Sequence, residues 1–418
     1  MSHKVKTGLI LLFAFFLIAM AHPGESAGAQ AITLEQAVSM ALENNRELAA
    51  FRKRLDEARG DLTKASLIVP SNPVIGSFVD NRYNTRDNVV HNDYEINLSQ
   101  EVQIFGQRGK GISVAKKNIE KVRADIETLE WEITSRVKGN FYEVLALKRV
   151  LELRDIIQRL FDKLLKAFRT KYEAGAATIL EVNSIEIQHA KAKNDYLNAR
   201  SKYLSSLSNV RLLLGLSSDY PLDITGELKY TKVQVELHEL METAQKHRPD
   251  LKALELEEER IKRKINLIKS QRIPNPILSG FVAREDGFNR IAGGAISIPL
   301  PIIDRKQAEL QGARAQRDAA RINIEGKVLQ IRQELESAYQ TFLSAQNGLG
   351  VYEGILSEVE DSLELNELTY LEGKVSFIEF LLLQNNLLEA KVSYLEALLG
   401  HYKALVELER ASFTSIIK

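Results

Sequence analysis

The sequence contains no cysteine, and this absence excludes several kinds of chemistry. A disulfide framework, a thiolate zinc site, a cysteine nucleophile and a lipid attached to a cysteine at the mature N-terminus are all excluded. The 418 residues carry 56 basic and 56 acidic side chains. No net positive charge is therefore available to hold nucleic acid by counterion release, and we expect no nucleic-acid partner.

Proline is scarce and unevenly placed: all nine prolines lie outside residues 74–220 and 302–418. Because proline removes a backbone donor and clashes inside a helix, such exclusions predict long continuous helices. The apolar spacing of three and four residues from Ile119 to Ile133 agrees with coiled-coil packing. Two long helices are predicted, from about Arg108 to Glu173 and from about Arg305 to Glu372, each roughly 100 Å long.

Only one long apolar run occurs, from Gly8 to Ala21. Lys4 and Lys6 precede it and small residues follow, so residues 1–31 are predicted to be a cleaved signal peptide. The alternative is an N-terminal membrane anchor, although a run of about 14 residues is short for a spanning helix.

The chain repeats itself once, at an offset of about 200 residues. For example, the segment Lys171-Tyr-Glu-Ala-Gly175 corresponds to Thr369-Tyr-Leu-Glu-Gly373. We therefore divide the mature chain into a first repeat at 32–214, a small inserted subdomain at 215–236 and a second repeat at 237–418.

Each repeat shows the same order of predicted elements. A helix of about 35 residues, at Leu34–Ser66 or Leu237–Ser270, is ended by prolines. A β-hairpin follows at about 74–105 or 277–301, with the polar stretch from Asn81 to Asn92 as the first connection and Asp286-Gly287 in the second. The long helix, a glycine turn and a return helix of about 35 residues complete the unit, so the fold class is mainly α with paired strands.

The predicted strands alternate apolar and polar residues, with Tyr94, Ile96 and Leu98 on one face and Glu95 and Asn97 on the other. One interpretation is a pair of small sheets that cap coiled coils in a soluble protein. The other is a transmembrane β-barrel, whose lipid-facing and lumen-facing residues alternate. Because four strands cannot close a barrel, this second interpretation requires an oligomer, and with a signal peptide it indicates a Gram-negative outer membrane.

The order of elements resembles that of the TolC-like outer-membrane efflux factors over essentially the whole mature chain. The resemblance rests on Ala41-Leu-Glu-Asn-Asn-Arg-Glu-Leu48, on Ile298-Pro-Leu-Pro-Ile-Ile-Asp-Arg305 and on the two tyrosine-x-x-glycine turns. The segment Ser99-Gln-Glu-Val-Gln-Ile-Phe-Gly-Gln-Arg108 further resembles the heavy-metal (CzcC-like) branch of that family.

The resemblance implies a homotrimer with a 12-stranded outer-membrane barrel and a periplasmic helical tunnel, with the insertion as an equatorial belt. Such a channel contacts outer-membrane lipid and conducts substrate passively from an inner-membrane pump of the RND type through a periplasmic adaptor. The expected cargo is heavy-metal cations, without cofactor or catalysis. Two alternatives remain: a duct for organic toxicants or type I protein secretion, and a pore-less periplasmic coiled-coil scaffold or adaptor, although two complete units disfavour the scaffold.

The resemblance also places candidate residues at the far ends of the long helices. Glu379 and Tyr370 match an entrance gate that favours cations, and Glu181 is the equivalent acid of the first repeat; the alternative is that each glutamate only stabilises a helix start. A second acid found in some family members is replaced by Leu382. The candidate adaptor-docking residues are Gly175, Thr178, Ile179, Leu180, Gly373, Ser376, Phe377 and Ile378.

Searches for catalytic and metal-binding motifs fail. The histidines beyond the signal peptide show no short metal-ligand spacing, and Gly106-Gln-Arg-Gly-Lys-Gly111 lacks the spacing of a phosphate-binding loop. We therefore expect no metal site, no cofactor and no enzymatic activity.

Overall fold

The structure is a computed structural model that describes residues 30–85, 88–285, 289–372 and 374–416. The predicted signal peptide lies outside the described residues except for Gln30 and Ala31, as do Asp286, Gly287 and Gly373. The described chain consists of helices in two successive sets, one small parallel sheet and one antiparallel sheet.

Two helices of more than 60 residues dominate the fold, as the proline-free stretches predicted. The first set comprises α1 (Leu34–Asn44), α2 (Arg46–Ala65), α3 (Gln107–Glu173) and α4 (Ile179–Leu213). The second set comprises α5 (Leu237–His247), α6 (Pro249–Gln271), α7 (Gln307–Leu371) and α8 (Phe377–Ser412). None of these described helices is both long and apolar enough to cross a membrane.

The prediction of one continuous helix at Leu34–Ser66 is wrong, and the same error occurs at Leu237–Ser270. Asn45 is extended, with ψ of 123°, and it ends α1 while its side chain accepts a hydrogen bond from the backbone N–H of Leu48 to begin α2. In the second set Arg248 is extended in the same way. The cause there is Pro249, which disfavours the helical conformation in the residue before it.

The helix α3 forms the centre of the packing and contacts α1, α2, α4, α6 and α8. Around its middle, Ile133, Phe141 and Val144 are buried in one apolar cluster with Val210 of α4. A second cluster joins α7 to α8 through Leu335, Phe342, Leu405 and Leu408. The apolar stripes of the long helices therefore bury narrow seams between neighbours, which is the packing that their three- and four-residue spacing predicted.

The insertion at 215–236 does not form a core of its own. Its short strand β4 (Leu222–Ile224) pairs in parallel with the strand β1 (Gln30–Ile32), which begins the described chain. Leu222 and Ile224 are buried in the same cluster as Phe141 of α3. The segment is therefore packed onto the first set of helices.

The antiparallel sheet joins the two halves of the chain. Its strands are β2 (Val74–Asn84), β3 (Val89–Glu101), β5 (Ile277–Glu285) and β6 (Asn289–Ser297), in the order β2-β3-β5-β6. The prediction of Asn81–Asn92 as a connection is wrong, because cross-strand pairing continues to Asn84 and Val89. The polar residues of this stretch are typical of a turn, although the backbone still forms strand pairs.

The two faces of this sheet differ in character. We define the apolar face by the side chains of Ile75, Val79, Tyr94, Ile96, Leu98, Leu278, Val282 and Ile296, which the strand registers place together and which are all exposed. The polar face carries the acidic side chains Asp80, Asp93, Glu95, Glu101 and Glu285. The alternation predicted for β3 is therefore confirmed, with its apolar residues on the more exposed face.

Candidate functional site

The tip of the first repeat is the turn between α3 and α4. Gly175 has a φ of 72°, in the left-handed region that favours glycine. The N–H of Gly175 bonds to the carbonyl of Tyr172 at 2.9 Å, and that of Ala176 bonds to the carbonyl of Lys171 at 2.7 Å. This pair of bonds is the Schellman motif, so the predicted glycine-dependent helix end is confirmed at Gly175.

The tip of the second repeat shows the corresponding hydrogen bond. The N–H of Lys374 donates to the carbonyl of Thr369 at 3.0 Å, just as that of Ala176 donates to Lys171. Gly373 itself lies outside the described residues. The two tips are therefore related by the duplication at the level of individual backbone hydrogen bonds.

Each return helix begins with a capping box that contains the predicted gate glutamate. In α4 the carboxylate of Glu181 accepts from the backbone N–H of Thr178 at 2.7 Å, and the Thr178 hydroxyl accepts from the N–H of Glu181. In α8 the carboxylate of Glu379 accepts from the N–H of Ser376 at 2.9 Å, and the Ser376 hydroxyl accepts in return. Both glutamates thus stabilise helix starts, as the alternative interpretation held.

These hydrogen bonds also favour the ionised form of the two glutamates. The backbone hydrogen bond from Ser376 lowers the pKa of Glu379, and that from Thr178 lowers the pKa of Glu181. Glu379 is exposed and Glu181 is half-buried. Each chain therefore presents two ionised carboxylates at its tips near neutral pH. Tyr370 lies in the last turn of α7, and its side chain is outside the described part.

The predicted docking residues divide into exposed and packed groups. Ile179 and Leu180 are exposed, Leu180 by 75%. Thr178 and Ser376 are exposed but are engaged in capping. Ile378 differs from the expectation of an exposed turn, since it is half-buried against the apolar cluster of Phe161 and Leu381. The side chain of Phe377 is not described.

An apolar cleft of about 300 Å³ lies between the two tips. Its walls come from both repeats: Phe161, Leu164, Leu180 and Ile185 from the first, and Ile378, Leu381 and Leu382 from the second. Sequence reasoning missed this cleft, because its walls are about 200 residues apart in the chain. Leu382 also helps to line it.

Ion pairs hold α8 against the first repeat above this cleft. The guanidinium of Arg154 in α3 lies 2.5 Å from a carboxylate oxygen of Glu389 in α8 and 3.8 Å from one of Asp195 in α4. Closer to the tip, Nε2 of His189 lies 2.5 Å from a carboxylate oxygen of Asp162. No local sequence signal reveals these contacts, since the partners lie on different helices.

The described residues contain no group of three or more histidine, aspartate or glutamate side chains that could hold a metal ion. The two tips, the cleft between them and the two-faced sheet at the opposite end of the helices are the candidate functional features.

Comparison with known proteins decides the family. The model of the family described as outer membrane efflux protein matches residues 37–216 and 240–412. The chain belongs to the outer membrane efflux protein family. The resemblance inferred from the sequence is thereby confirmed.

Individual members of this efflux family match over nearly their whole lengths. The cobalt-zinc-cadmium resistance protein CzcC of Cupriavidus metallidurans is 25% identical over 391 residues, which are 93% of this chain and 91% of that protein. A membrane protein from Pseudomonas aeruginosa superposes with a TM-score of 0.74 at 19% identity, covering 91% of this chain and 90% of the other.

The CmeC outer membrane channel of Campylobacter jejuni superposes with a TM-score of 0.73 at 15% identity, covering 94% of this chain and 90% of that one. These superpositions confirm the TolC-like fold of one chain.

Proposed function

We propose that three copies of the chain assemble into one channel whose 12-stranded barrel crosses the outer membrane. The proposal rests on the edges and the apolar face of the antiparallel sheet. Its edge strands β2 and β6 each pair on one side only, within the described residues, and one of its faces is apolar and exposed. Unpaired edges at the membrane are costly, and pairing β6 of one copy with β2 of the next removes all of them.

The helices support the same assembly. In α4, Ile187, Leu197 and Leu204 are at least 48% exposed, and in α7, Ile322 and Leu329 are at least 60% exposed. Large apolar side chains at such exposures indicate faces that neighbouring helices cover. In the trimer these faces close a periplasmic tunnel, and the insertion at 215–236 lies around it as an equatorial belt.

The channel is a passive duct in a tripartite efflux system. An inner-membrane pump of the RND type delivers substrate, and a periplasmic adaptor docks on the tips that contain Gly175 and Gly373. The exposed Ile179 and Leu180 supply apolar contact for the adaptor. The ionised Glu379, repeated in three copies around a narrow axis near Tyr370, attracts cations at the entrance, whereas Glu181 contributes to contacts between helices.

The cargo we propose is divalent heavy-metal cations, on the basis of the similarity to CzcC over 93% of the chain. The test is metal tolerance of a host whose chromosomal copy has been deleted and whose pump and adaptor genes remain. Re-expression of the wild-type chain should restore growth in cobalt, zinc and cadmium salts. Restored tolerance to organic toxicants with unchanged metal sensitivity would contradict this cargo and favour the alternative duct.

A further inference from the structure

The apolar face of the sheet carries two charged side chains, and both are arginines. Arg284 of β5 and Arg290 of β6 are direct cross-strand partners, and their guanidinium groups share the face of Val282 and Ile296. Like charges placed directly opposite each other destabilise a strand pair. A pair of this kind is stable when an anion lies between the two charges.

The described strands of the sheet do not supply that anion. Every acidic side chain in the four described strands lies on the polar face. Within the described residues neither Arg284 nor Arg290 forms an ion pair, and both are exposed. The two guanidinium groups are therefore available to a ligand from outside the chain.

The described strand β2 of a neighbouring copy does not supply the anion either. When β6 of one copy pairs with β2 of the next, the apolar face of β2 presents only uncharged side chains, namely Ile75, Ser77, Val79, Asn81 and Tyr83. The described strands of both copies therefore leave the counter-charge to the surroundings of the barrel.

In β5 and β6 the arginines lie at one end of the apolar face, whereas in β2 and β3 that face continues beyond them to Tyr83 and Val90. Strand registers place Val79, Tyr94, Arg284 and Arg290 in a single row across the sheet. Leu278 lies six residues before Arg284, roughly 20 Å along the strand. The helices leave the sheet at the Leu278 end, so in β5 and β6 the arginine row is at the far end, where a lipid-facing band of about 25 Å is followed by the headgroups.

We propose that Arg284 and Arg290 bind the phosphate groups of the phosphorylated glycolipid in the outer leaflet, a lipid of the lipid A class. This inference rests on the proposed barrel function, which places the far end of the sheet at the outer surface. A guanidinium matches phosphate with two parallel hydrogen bonds, and two of them provide charge for a polyanionic headgroup. The neighbouring Tyr94 sits at the level where aromatic rings favour the membrane interface.

The test compares three forms of the full chain in a non-ionic detergent: wild type, Arg284→Gln/Arg290→Gln, and the control Arg314→Gln/Arg332→Gln. The control removes two exposed arginines of α7, so the change in net charge is the same. Binding of bisphosphorylated lipid A is measured by native mass spectrometry. Fully dephosphorylated lipid A, phosphatidylglycerol and inorganic phosphate serve as comparison ligands.

We expect wild type and control to bind bisphosphorylated lipid A about tenfold more tightly than the Arg284/Arg290 variant. The wild type should bind dephosphorylated lipid A and phosphatidylglycerol no more tightly than the Arg284/Arg290 variant binds bisphosphorylated lipid A. Equal binding by all three forms would overturn the proposal. Displacement of the lipid by equimolar inorganic phosphate would also overturn it, since the site would then be one for free anions.

Conductance measured in planar bilayers without lipid A distinguishes a failure of the lipid site from a failure of the barrel. If the Arg284/Arg290 variant forms channels like the wild type but binds lipid A equally well, only the lipid site fails. If the wild-type chain forms no channel, the barrel function fails, and with it the inference that rests on it.

Discussion

The side-chain amide of Asn45 donates a hydrogen bond of 2.9 Å to the main-chain carbonyl oxygen of Leu213. Asn45 stands at the break between α1 and α2, and Leu213 is the last residue of α4. In the second repeat the guanidinium of Arg248, at the matching break, donates to the carbonyl of Ala411 near the end of α8 at 3.1 Å. A different side chain thus anchors the end of the return helix in each repeat.

Replacing Asn45 by alanine should lower the free energy of unfolding by about 2 kcal/mol, because the change removes a helix cap and leaves the half-buried carbonyl of Leu213 without its donor. Urea unfolding in detergent, followed by the fluorescence of Trp131, measures this effect. Trp131 is the single tryptophan and its ring lies 4.6 Å from that of Phe413. The control is Asn44→Ala, whose amide makes only an exposed bond to its own helix. Equal losses in both variants would contradict the anchoring role.

The stability of the helical part should depend on His401 as the pH falls. Its side chain is buried between Phe342 and Tyr230, and burial lowers its pKa. The unfolded chain therefore binds a proton at a higher pH than the folded chain, so stability is lost as the pH falls below about 6.5. Chemical unfolding at pH 7.5 and 5.5 should show a smaller pH effect for His401→Phe than for wild type.

His238→Gln provides the control for this measurement, since the His238 side chain is 84% exposed. It should retain the pH dependence of the wild type. An identical pH effect in wild type and His401→Phe would exclude His401 as its source.

Substituting Gly175 by valine should abolish metal tolerance while trimers still form. Nothing lies within 4 Å of a Cβ added there, so the substitution acts through the positive φ and reorients the tip. Gly139→Val, in the middle of α3 with equally open space, is the matched control and should remain active. Full tolerance with Gly175→Val would remove this tip from the docking surface.

Replacing Glu379 by glutamine should reduce the cation preference of the channel and weaken its block by multivalent cations. Glutamine at this position retains the capping box, so the substitution removes charge with little change in structure. Glu181→Gln makes the same change in the first repeat and should alter selectivity less. Tyr370→Phe should raise conductance by loosening the closed entrance. Unchanged reversal potentials in single-channel recordings of Glu379→Gln would leave the glutamate only its helix-capping role.

The sequence predicted the long helices and the two-faced strands, because the spacing of apolar residues within each segment indicates both. It failed at Asn45, where no proline marks the break and the hydrogen bond that fixes the break comes from 168 residues away. At Arg248 the signal was present in the following proline, but the apolar periodicity on both sides obscured it. The strand ends near Asn84 and Val89 were missed because these residues pair without apolar alternation.

The candidate site could be predicted only where both repeats carry the same motif at equivalent positions. The capping motifs at Thr178 and Ser376 occur at equivalent places in both repeats, so a comparison of the repeats finds them. The cleft between the tips and the Arg154–Glu389 ion pair depend on how α8 packs against the first repeat. Such contacts between distant segments leave no pattern in a single sequence.

The central claim is that the open edges of three sheets pair into one barrel, and the absence of cysteine permits a direct test by disulfide cross-linking. Ser77→Cys on the edge strand β2 is combined in turn with Ala292→Cys, Gly294→Cys or Ile296→Cys on the same face of the edge strand β6. Oxidation of outer membranes should produce, for at least one pair, a ladder on a non-reducing gel that ends at three chains, with no cross-linking when Ser77→Cys is alone. Monomers with every pair, or ladders that continue beyond three chains, would contradict the closed trimer.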